Sequence, residues 1–415
     1  MVSRRLLSIV QARLSEEPVI LLQGPRSVGK SSLLREIAIK CGASVLDLDD
    51  LATRDAVAAD PGTFVAGPSP VFIDEYQKAP LVLDAIKAEL NRDGSPGRFI
   101  ITGSTRHDAL PAAAQALTGR LHSLPVYPLS QGEIAGVTEH LIVDLFADPT
   151  AVVPAPVSTT TRDEYIERIV VGGFPMSLNR PSAASRNRWF DDYIRLTLER
   201  DVRELKKVRQ DAALSQVLGK LAGQTAQVLN VNQVASDLRL SEHLVSSHTK
   251  LLEAVFLVHR LPAWGTTLTS RSSSNPKIHV MDSGVATRLL RLSPEKLAKR
   301  HPASLTELGH LLETFVVGEL MRQVSWLDGF AGVGHWRTWD GDEVDLVVER
   351  DDGAIIAFEV KTSSRVRAEG FNPMRKLRDR MGDAFLAGVV LHLGQRTYTF
   401  EDRLHVMPVD RLWAP

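Results

Sequence analysis

The sequence predicts an α/β protein of several domains, of which the first is built on a parallel sheet. Its 415 residues suffice for about two to four domains. Near the start, at 18–40, a glycine-rich loop lies between an apolar strand and an amphipathic helix. Near the end, at 343–361, two apolar strands flank a tight turn. Two different α/β patterns therefore occur in one chain, which favours a multidomain architecture.

Composition and charge narrow the functional classes. The chain has 49 basic and 50 acidic residues, a formal net charge of −1, so it is not uniformly basic, although local patches are compatible with these counts. Cys41 is the only cysteine, which excludes internal disulfides and thiolate-rich zinc sites. No apolar run reaches the roughly 18 to 20 residues that cross a bilayer. We therefore expect a cytoplasmic protein that does not bind membranes.

The glycine-rich loop predicts a nucleotide-binding site. Its sequence, GPRSVGKS, satisfies the G-x-x-x-x-G-K-[ST] pattern in the strand-loop-helix context that the pattern requires. Gly24 and Gly29 let the backbone curl around phosphate oxygens, and the amides at the helix start face the anion. Lys30 is expected to reach the β- and γ-phosphates and Ser31 to ligate Mg²⁺. The predicted ATP-binding residues are Gly24, Pro25, Arg26, Ser27, Val28, Gly29, Lys30, Ser31 and Ser32.

Two acidic residues follow the next apolar strand, in VFIDEYQKAP. We expect Asp74 to help position Mg²⁺ and Glu75 to polarise the attacking water, since both would lie at the carboxyl edge of the sheet. A third buried strand, in GRFIITGSTR, ends in Thr102 and Ser104, either of which is a candidate sensor of the γ-phosphate. An ordinary helix cap by Ser104 is the alternative.

These segments resemble a family of prokaryotic AAA+-type ATPases that carry an uncharacterised carboxyl-terminal domain. The resemblance rests on GPRSVGKS, VFIDEYQKAP, IITGSTR and LTGRLHSLPVYPLSQGE. It continues through VGGFPMSL, YIRLTLERDVREL and NPKIHVMDSGVATRLL to the final hairpin, and so covers nearly the whole chain. It implies a P-loop AAA+-type ATPase core over residues 1–150, which would use ATP and Mg²⁺ and hydrolyse ATP.

Residues 151–208 are expected to form a helical lid near the nucleotide. Two helical patterns are separated by VGGFP, and the Pro/Ala/Thr-rich stretch ADPTAVVPAPVSTTT is typical of a surface loop. A cationic side chain here would stabilise transition-state charge, as a sensor or finger. The alternative for each candidate is an ordinary solvated arginine. The candidates are Arg120, Arg195, Arg200 and Arg203.

Residues 209–265 predict a winged helix-turn-helix domain. Two short helices, the second capped by Ser241, precede an apolar wing that ends in LPAW. The second helix would present His243 and Lys250 to a DNA groove. Because these cations are few, a purely architectural winged helix is an equal alternative.

The hairpin EVDLVVERDDGAIIAFEVK raises the question of a second active site. Pairing centred on Asp352 would place Asp345 opposite Glu359 and Glu343 opposite Lys361. One face would then be apolar, with Val344, Leu346 and Val348, and the other charged. Two neighbouring carboxylates can hold Mg²⁺, and a lysine can stabilise charge on a phosphodiester. A solvated, ion-paired strand face is the alternative.

The helix TELGHLLETFVVGELMRQV and this hairpin together resemble the restriction-endonuclease-like, or PD-(D/E)xK, core. The resemblance implies an α/β nuclease-like domain over 266–415. In it Asp345 would be the first acid, Glu359 and Lys361 the E-x-K pair, and Glu313 a helical carboxylate. Glu313, Asp345 and Glu359 would hold a second Mg²⁺ or Mn²⁺. Such cores also serve as binding domains, so catalysis stays open.

These inferences lead to one functional hypothesis and two alternatives. The leading hypothesis is a Mg²⁺-dependent ATPase whose nucleotide state repositions a winged helix and a nuclease-like domain on nucleic acid, with DNA favoured over RNA. One alternative is an ATP-regulated, metal-dependent nuclease. The other is a nucleotide-gated protein-interaction scaffold with a vestigial nuclease site. A homo-oligomer or a protein partner is compatible with the sequence.

Overall fold

The computed structural model describes residues 2–106, 117–202, 212–267 and 275–414. Within these ranges the strands form sheets of five, three and six strands. The five-stranded sheet contains β1 (Val19–Gln23), β2 (Val45–Asp47), β3 (Val71–Asp74), β4 (Phe99–Gly103) and β5 (Leu121–Pro125). The three-stranded sheet contains β6 (Gln227–Val228), β7 (Val258–Leu261) and β8 (Lys277–Val280). The six-stranded sheet contains β9 (Phe330–Arg337), β10 (Glu343–Arg350), β11 (Ile355–Lys361), β12 (Phe385–His392), β13 (Tyr398–Glu401) and β14 (Leu404–Pro408).

The helices follow the same division of the chain. The first part has α1 (Leu6–Arg13), α2 (Lys30–Lys40), α3 (Leu51–Ala59), α4 (Pro61–Val65), α5 (Val82–Arg92), α6 (Gln131–Ala135) and α7 (Leu141–Ala147). The middle has α8 (Arg162–Val171), α9 (Pro175–Leu178), α10 (Ala183–Leu196), α11 (Ala212–Gly223), α12 (Val231–Leu238), α13 (Glu242–Ala254), α14 (Ser283–Leu289) and α15 (Pro294–Ala298). The last part has α16 (Pro302–Val324) and α17 (Asn372–Met381). No described helix has the length and apolar character needed to cross a bilayer.

The first sheet is parallel throughout, in the order β2-β3-β4-β1-β5. Its three central strands, β3, β4 and β1, are buried on both faces, as parallel strands between helices are. Ile20 and Ile100 belong to the same apolar cluster as Leu34 of α2, whereas Leu21 and Ile101 pack with Ile86 of α5. Because all the strands run one way, the glycine-rich loop, Asp74 and Thr102 reach the same edge. This confirms the predicted parallel α/β architecture of the first domain.

The middle of the chain combines a helical group with a small antiparallel sheet. Helix α8 packs on α14 and α15, and α10 packs on α14, so segments on both sides of the small sheet form one group. Helices α11, α12 and α13 pack on one another beside the sheet, whose order is β6-β8-β7. Strand β8 lies beyond residue 265, the predicted end of the winged helix. Lys277, the first residue of β8, lies beside α16 and β10 of the carboxyl-terminal part.

The six-stranded sheet is mixed, with the order β13-β14-β12-β11-β10-β9. Helix α16 packs on β9, β10 and β11, and α17 packs on β10 and β12. The predicted hairpin is present, and its centre is confirmed by the pairs Leu346 with Phe358 and Val348 with Ile356.

The prediction of one apolar and one charged hairpin face is wrong. Leu346 and Val348 lie in one apolar cluster, whereas Val344 and Val347 lie in a second cluster with Leu377 of α17. An irregularity in the β9–β10 pairing between Val344 and Val347 explains why Val344 does not share a face with Leu346. Helix α17 covers the face expected to be solvated.

Candidate functional site

The glycine-rich loop has the conformation predicted for a phosphate cradle. Gly29 precedes α2 with φ 96°, a left-handed value that favours glycine. Glycine is required at position 24 for lack of space, because a Cβ there would lie 2.1 Å from the carbonyl oxygen of Val126. The buried Lys30 Nζ donates to the carbonyl oxygens of Gly24 (2.9 Å) and Pro25 (2.8 Å). Burial lowers the Lys30 pKa to about 8, although the Glu75 carboxylate opposes the shift. The loop therefore holds a buried cation whose hydrogen bonds go to the carbonyl oxygens of the loop itself.

The two acids lie beside this cation. Asp74 ends β3 and accepts hydrogen bonds from Thr102 and Ser31. Burial raises the Asp74 pKa, and those two hydrogen bonds oppose the shift. The structure thus brings Ser31 and Asp74 together, as a shared Mg²⁺ would require.

Glu75 has a left-handed backbone, φ 55°, which costs a non-glycine residue of order 1 kcal/mol and is common at functional sites. Its Oε2 accepts from Ser104 Oγ (2.9 Å) and from Gln77. Thr102 and Ser104, predicted as alternative phosphate sensors, donate hydrogen bonds to Asp74 and Glu75. Gln77, which was not among the predicted site residues, contacts both Glu75 and Ser104.

Arg26 connects the loop to the helical group. Its Nε lies 2.6 Å from Oδ1 of Asp201, a residue that is 3% exposed. Asp201 ends a short π-helical segment, Thr197–Asp201, that continues α10. π-helical turns often mark functional sites. No local sequence pattern indicates this contact, because 175 residues separate the two partners.

A cavity of about 380 Å³ adjoins the loop. Val28 and Gly29 line it from the loop, and Arg4, Pro175 and Leu178 line it from the amino terminus and the helical group. Its apolar walls suit a flat heterocycle next to a phosphate cradle. Residues from the segment predicted to be a lid thus line this cavity.

The arginine candidates differ in position. Leu121 pairs with Val19 at the start of β1, so Arg120 lies at the edge of the sheet opposite the loop, about 16 Å away for a strand of this length. Arg120 binds Asn91 instead, at 2.8 Å. Arg195 forms exposed ion pairs with Asp192 and Glu199. Arg200 is exposed next to Asp201, and Arg203 lies outside the described residues.

The carboxyl-terminal acids surround an ammonium group. Lys277 Nζ lies 2.6 Å from Oε1 of Glu313, 2.6 Å from Oε1 of Glu343 and 2.9 Å from Oδ1 of Asp345. The Lys277 side chain is 1% exposed. Burial alone would lower its pKa, but the three carboxylates raise it above its ordinary value. Lys277 is therefore charged and occupies the centre of the cluster.

Glu359 completes the cluster. Its Oε1 lies 2.5 Å from Lys361 Nζ, and its buried Oε2 has no hydrogen-bond partner among the described residues. Burial and the Asp345 carboxylate raise its pKa. Asp345 accepts from the backbone N–H of Val360 at 2.9 Å, so the predicted neighbours do come together.

The cluster does not form the predicted second metal site. In the described ranges no group of three or more His, Cys, Asp or Glu residues is arranged to hold a metal ion. Lys277 supplies the positive charge that the metal would supply to Glu313 and Asp345. The alternative of a solvated strand face is also wrong, because Asp345 is 8% and Glu359 7% exposed. Lys277 was not among the residues predicted for this site.

The surface of α13 agrees in part with a nucleic-acid contact. His243 and Lys250 are both exposed, and their spacing of seven puts them on one side of the helix. Glu242 is exposed beside them, so the helix has little net positive charge. Whether they bind nucleic acid stays a prediction.

The class of the first domain follows from this geometry and from family comparison. Residues 16–135 match the model of an AAA domain, and the Walker residues lie within this range. The amino-terminal part is thus a P-loop domain of the AAA type. Residues 162–296 match a domain of unknown function (DUF8612), and residues 308–412 match a second one (DUF4143).

Similar proteins have been found in several organisms. The uncharacterized proteins Rv2008c of Mycobacterium tuberculosis and Mb2031c of Mycobacterium bovis are each 27% identical over 403 residues, covering 96% of this chain and 82% of theirs. Among solved structures, the Walker-type ATPase PABY2304 of Pyrococcus abyssi shares 14% identity with a TM-score of 0.44, covering 70% of this chain and 96% of that one. The RuvB Holliday junction branch migration motor of Thermotoga maritima shares 14% identity with a TM-score of 0.31 and the same coverage.

Proposed function

We propose that the protein is a Mg²⁺-dependent ATPase that couples its nucleotide state to the arrangement of the domains that follow. The observation that carries the proposal is the buried Lys30 ammonium beside Ser31, Asp74 and Glu75. Its two hydrogen-bond acceptors are loop carbonyls, which phosphate oxygens can replace. A loop of this kind fits the phosphates of a nucleoside triphosphate, and the neighbouring acids are placed to promote its hydrolysis.

Each polar residue has a distinct role in this mechanism. The loop amides and Lys30 bind the phosphates, and Ser31 and Asp74 would hold Mg²⁺, which neutralises charge on the phosphate oxygens. Glu75, fixed by Ser104 and Gln77, orients the attacking water. The cavity beside the loop receives the base.

The coupling would run through Arg26 and Asp201. A γ-phosphate in the loop competes with Asp201 for the Arg26 guanidinium, because both are anionic oxygen acceptors. Binding then favours a different position of the Thr197–Asp201 segment, which precedes the predicted winged helix of residues 209–265. Differential interaction of this kind is what a conformational change requires.

We further propose that residues 209–265 belong to a winged helix. We also propose that the protein acts on nucleic acid, with DNA favoured over RNA. The order α11-β6-α12-α13-β7-β8 supports the winged helix, since two consecutive helices precede an antiparallel wing. The exposed His243 and Lys250 support a contact with phosphates.

A second candidate function is an interaction scaffold whose nuclease-like domain is inactive. The specific observation in its favour is Lys277, which forms ion pairs with carboxylates that a catalytic metal would need. The α16-β9-β10-β11 arrangement supports a nuclease-like fold, and fold alone does not imply activity.

One experiment tests the leading proposal. ATP turnover by the purified chain is measured with Mg²⁺, with EDTA, and with added single- or double-stranded DNA or RNA, and cleavage of the same nucleic acids is followed in parallel. We expect Mg²⁺-dependent turnover, stimulated by nucleic acid, without cleavage. Absence of turnover would reject the ATPase, and turnover that no nucleic acid changes would favour the scaffold. Metal-dependent cleavage would favour a nuclease.

A further inference from the structure

The carboxyl-terminal domain has a basic surface segment, residues 361–380. This segment contains seven basic and two acidic residues, in a chain whose formal net charge is −1. Its exposed cations are Arg365, Arg367, Lys376 and Arg380. Among the described residues, no carboxylate forms an ion pair with Arg365, Arg367 or Arg380. The other four basic residues of the segment are ion-paired, so three arginines present unpaired positive charge to solvent.

A fully exposed tryptophan lies next to this segment. Trp339 is 99% exposed and stands in the turn between β9 and β10. The turn has a defined structure, since Thr338 N donates to Asp342 O (2.9 Å) and Asp342 N to Thr338 Oγ1 (3.0 Å). An indole held in water by an ordered turn contributes nothing to the packing of the described part of the chain. Aromatic side chains that project in this way are typical of binding surfaces.

Sheet topology and ion pairs bring the tryptophan and the cations together. Lys376 of α17 contacts Asp342 and lies 3.6 Å from Asp340, so the turn rests on the helix. Arg380 follows Lys376 by one helical turn, on the same side of α17. The strands β10 and β11 are antiparallel, so the start of β10 and the end of β11, where the basic segment begins, share one edge of the sheet. Arg375 donates to Ala368 O at 3.0 Å and so connects the basic segment to α17 one residue after Arg367.

We propose that this surface, formed by Trp339, Arg365, Arg367, Lys376 and Arg380, binds single-stranded nucleic acid. The three arginines would bind consecutive phosphates, Lys376 would hold the turn in place through its ion pairs, and the indole would stack on one base. Cations combined with a stacking aromatic ring are what sequence-independent single-strand binding uses. A duplex hides its base faces, and an acidic peptide has no flat rings at regular spacing. The proposal rests on the nucleic-acid role proposed above, and it places the contact on the carboxyl-terminal domain instead of α13.

The test is binding of labelled dT20 and rU20 oligonucleotides to the full chain, followed by fluorescence anisotropy over a salt titration. Three phosphate contacts, by Arg365, Arg367 and Arg380, predict a slope of about −2 in log K against log salt for a single strand. Trp339→Ala should weaken binding about 10-fold at every salt concentration, whereas Trp339→Phe should keep most of the affinity. Arg365→Gln with Arg367→Gln should reduce the slope by about 1.4. Lys87→Gln with Arg188→Gln removes two exposed cations from other domains and should change neither quantity.

Three outcomes would overturn the proposal. One is no measurable binding at low salt. Another is equal binding by the Trp339→Ala variant and the native chain, which would show a general polyanion surface. The third is competition by polyglutamate as strong as by dT20, which would indicate an acidic protein partner. ATP turnover is measured on the same preparations, so failure of this surface is separated from failure of the proposed ATPase.

Discussion

The Nζ atom of Lys277 lies 2.6 Å from Oε1 of Glu313, and this buried contact joins β8 to α16. The same ammonium contacts Asp345 and Glu343 of β10. A cation inside a cluster of carboxylates stabilises the fold only while all partners are present, since an unpaired buried charge is costly. Lys277 therefore connects the three-stranded sheet to the carboxyl-terminal domain and provides a counter-charge to its acids.

Replacing Lys277 with methionine should destabilise the protein by about 3 to 5 kcal/mol, because buried carboxylates lose their counter-charge. Urea unfolding followed by circular dichroism measures the effect. Lys220→Met is the matched control, since Lys220 pairs with Asp237 on the surface, with 44% of its side chain exposed. The control should cost less than about 1 kcal/mol.

Divalent ions add a second measurement to this prediction. If the lysine occupies a cation position, millimolar Mn²⁺ should restore part of the stability of Lys277→Met and leave the native chain unchanged. Equal stability of Lys277→Met and the native chain without metal would contradict the structural role of the ammonium.

Prediction from the sequence succeeded where the determining contacts are local. The loop between β1 and α2 and the centre of the hairpin depend on residues close in the chain, and both were predicted. Lys277 contacts Glu313 and Asp345 across 36 and 68 residues, and no local pattern indicates that. The burial of Asp345 was missed for the same reason, since Lys277, the buried residue that contacts it, lies 68 residues earlier in the chain.

Lys30→Ala and Glu75→Gln should separate binding from hydrolysis. Lys30→Ala removes the cation that faces the phosphates, so both Mg²⁺-ATP binding and turnover should be lost. Glu75→Gln keeps the side-chain shape and should retain binding while turnover falls by roughly 100-fold or more. Steady-state turnover and calorimetric binding measure the two effects. Equal loss of binding and turnover in Glu75→Gln would contradict its role in orienting water.

The lowered pKa of Lys30 predicts proton uptake when Mg²⁺-ATP binds. Burial lowers this pKa to about 8 in the free loop, and a bound polyphosphate favours the charged form and raises it. Uptake should therefore be small at pH 7 and rise above pH 8, approaching roughly 0.9 proton at pH 9. Calorimetry in two buffers with different ionisation enthalpies measures the uptake. The same uptake in Lys30→Met, if it retains measurable binding, would assign the proton to another group.

Asp201→Asn should strengthen Mg²⁺-ATP binding and weaken the coupling between the bound nucleotide and the predicted winged helix. The neutral amide releases Arg26 for the phosphates, and a fraction of the roughly 1.5 to 3 kcal/mol of a charge-assisted hydrogen bond gives about 3- to 10-fold tighter binding. Binding is measured with a fluorescent ATP analogue, and coupling by nucleotide-dependent hydrogen exchange in residues 197–202. Asp191→Asn is the control, since Asp191 forms an exposed ion pair with Arg288 at 2.6 Å. Unchanged affinity in Asp201→Asn would show that Asp201 and the phosphate do not compete for Arg26.

His243→Ala combined with Lys250→Ala tests the predicted contact of α13 with duplex DNA. Both side chains are exposed on one side of the helix, where a recognition helix would meet phosphates. If they bind phosphate, duplex affinity should fall for every sequence, and the salt slope should decrease by about 1 for each phosphate that is no longer bound. A duplex of mixed sequence is titrated between low and moderate salt, with ATP turnover as the check on folding. An unchanged isotherm across the titration would indicate that α13 has only a structural role. Any nucleic-acid binding would then belong to another surface.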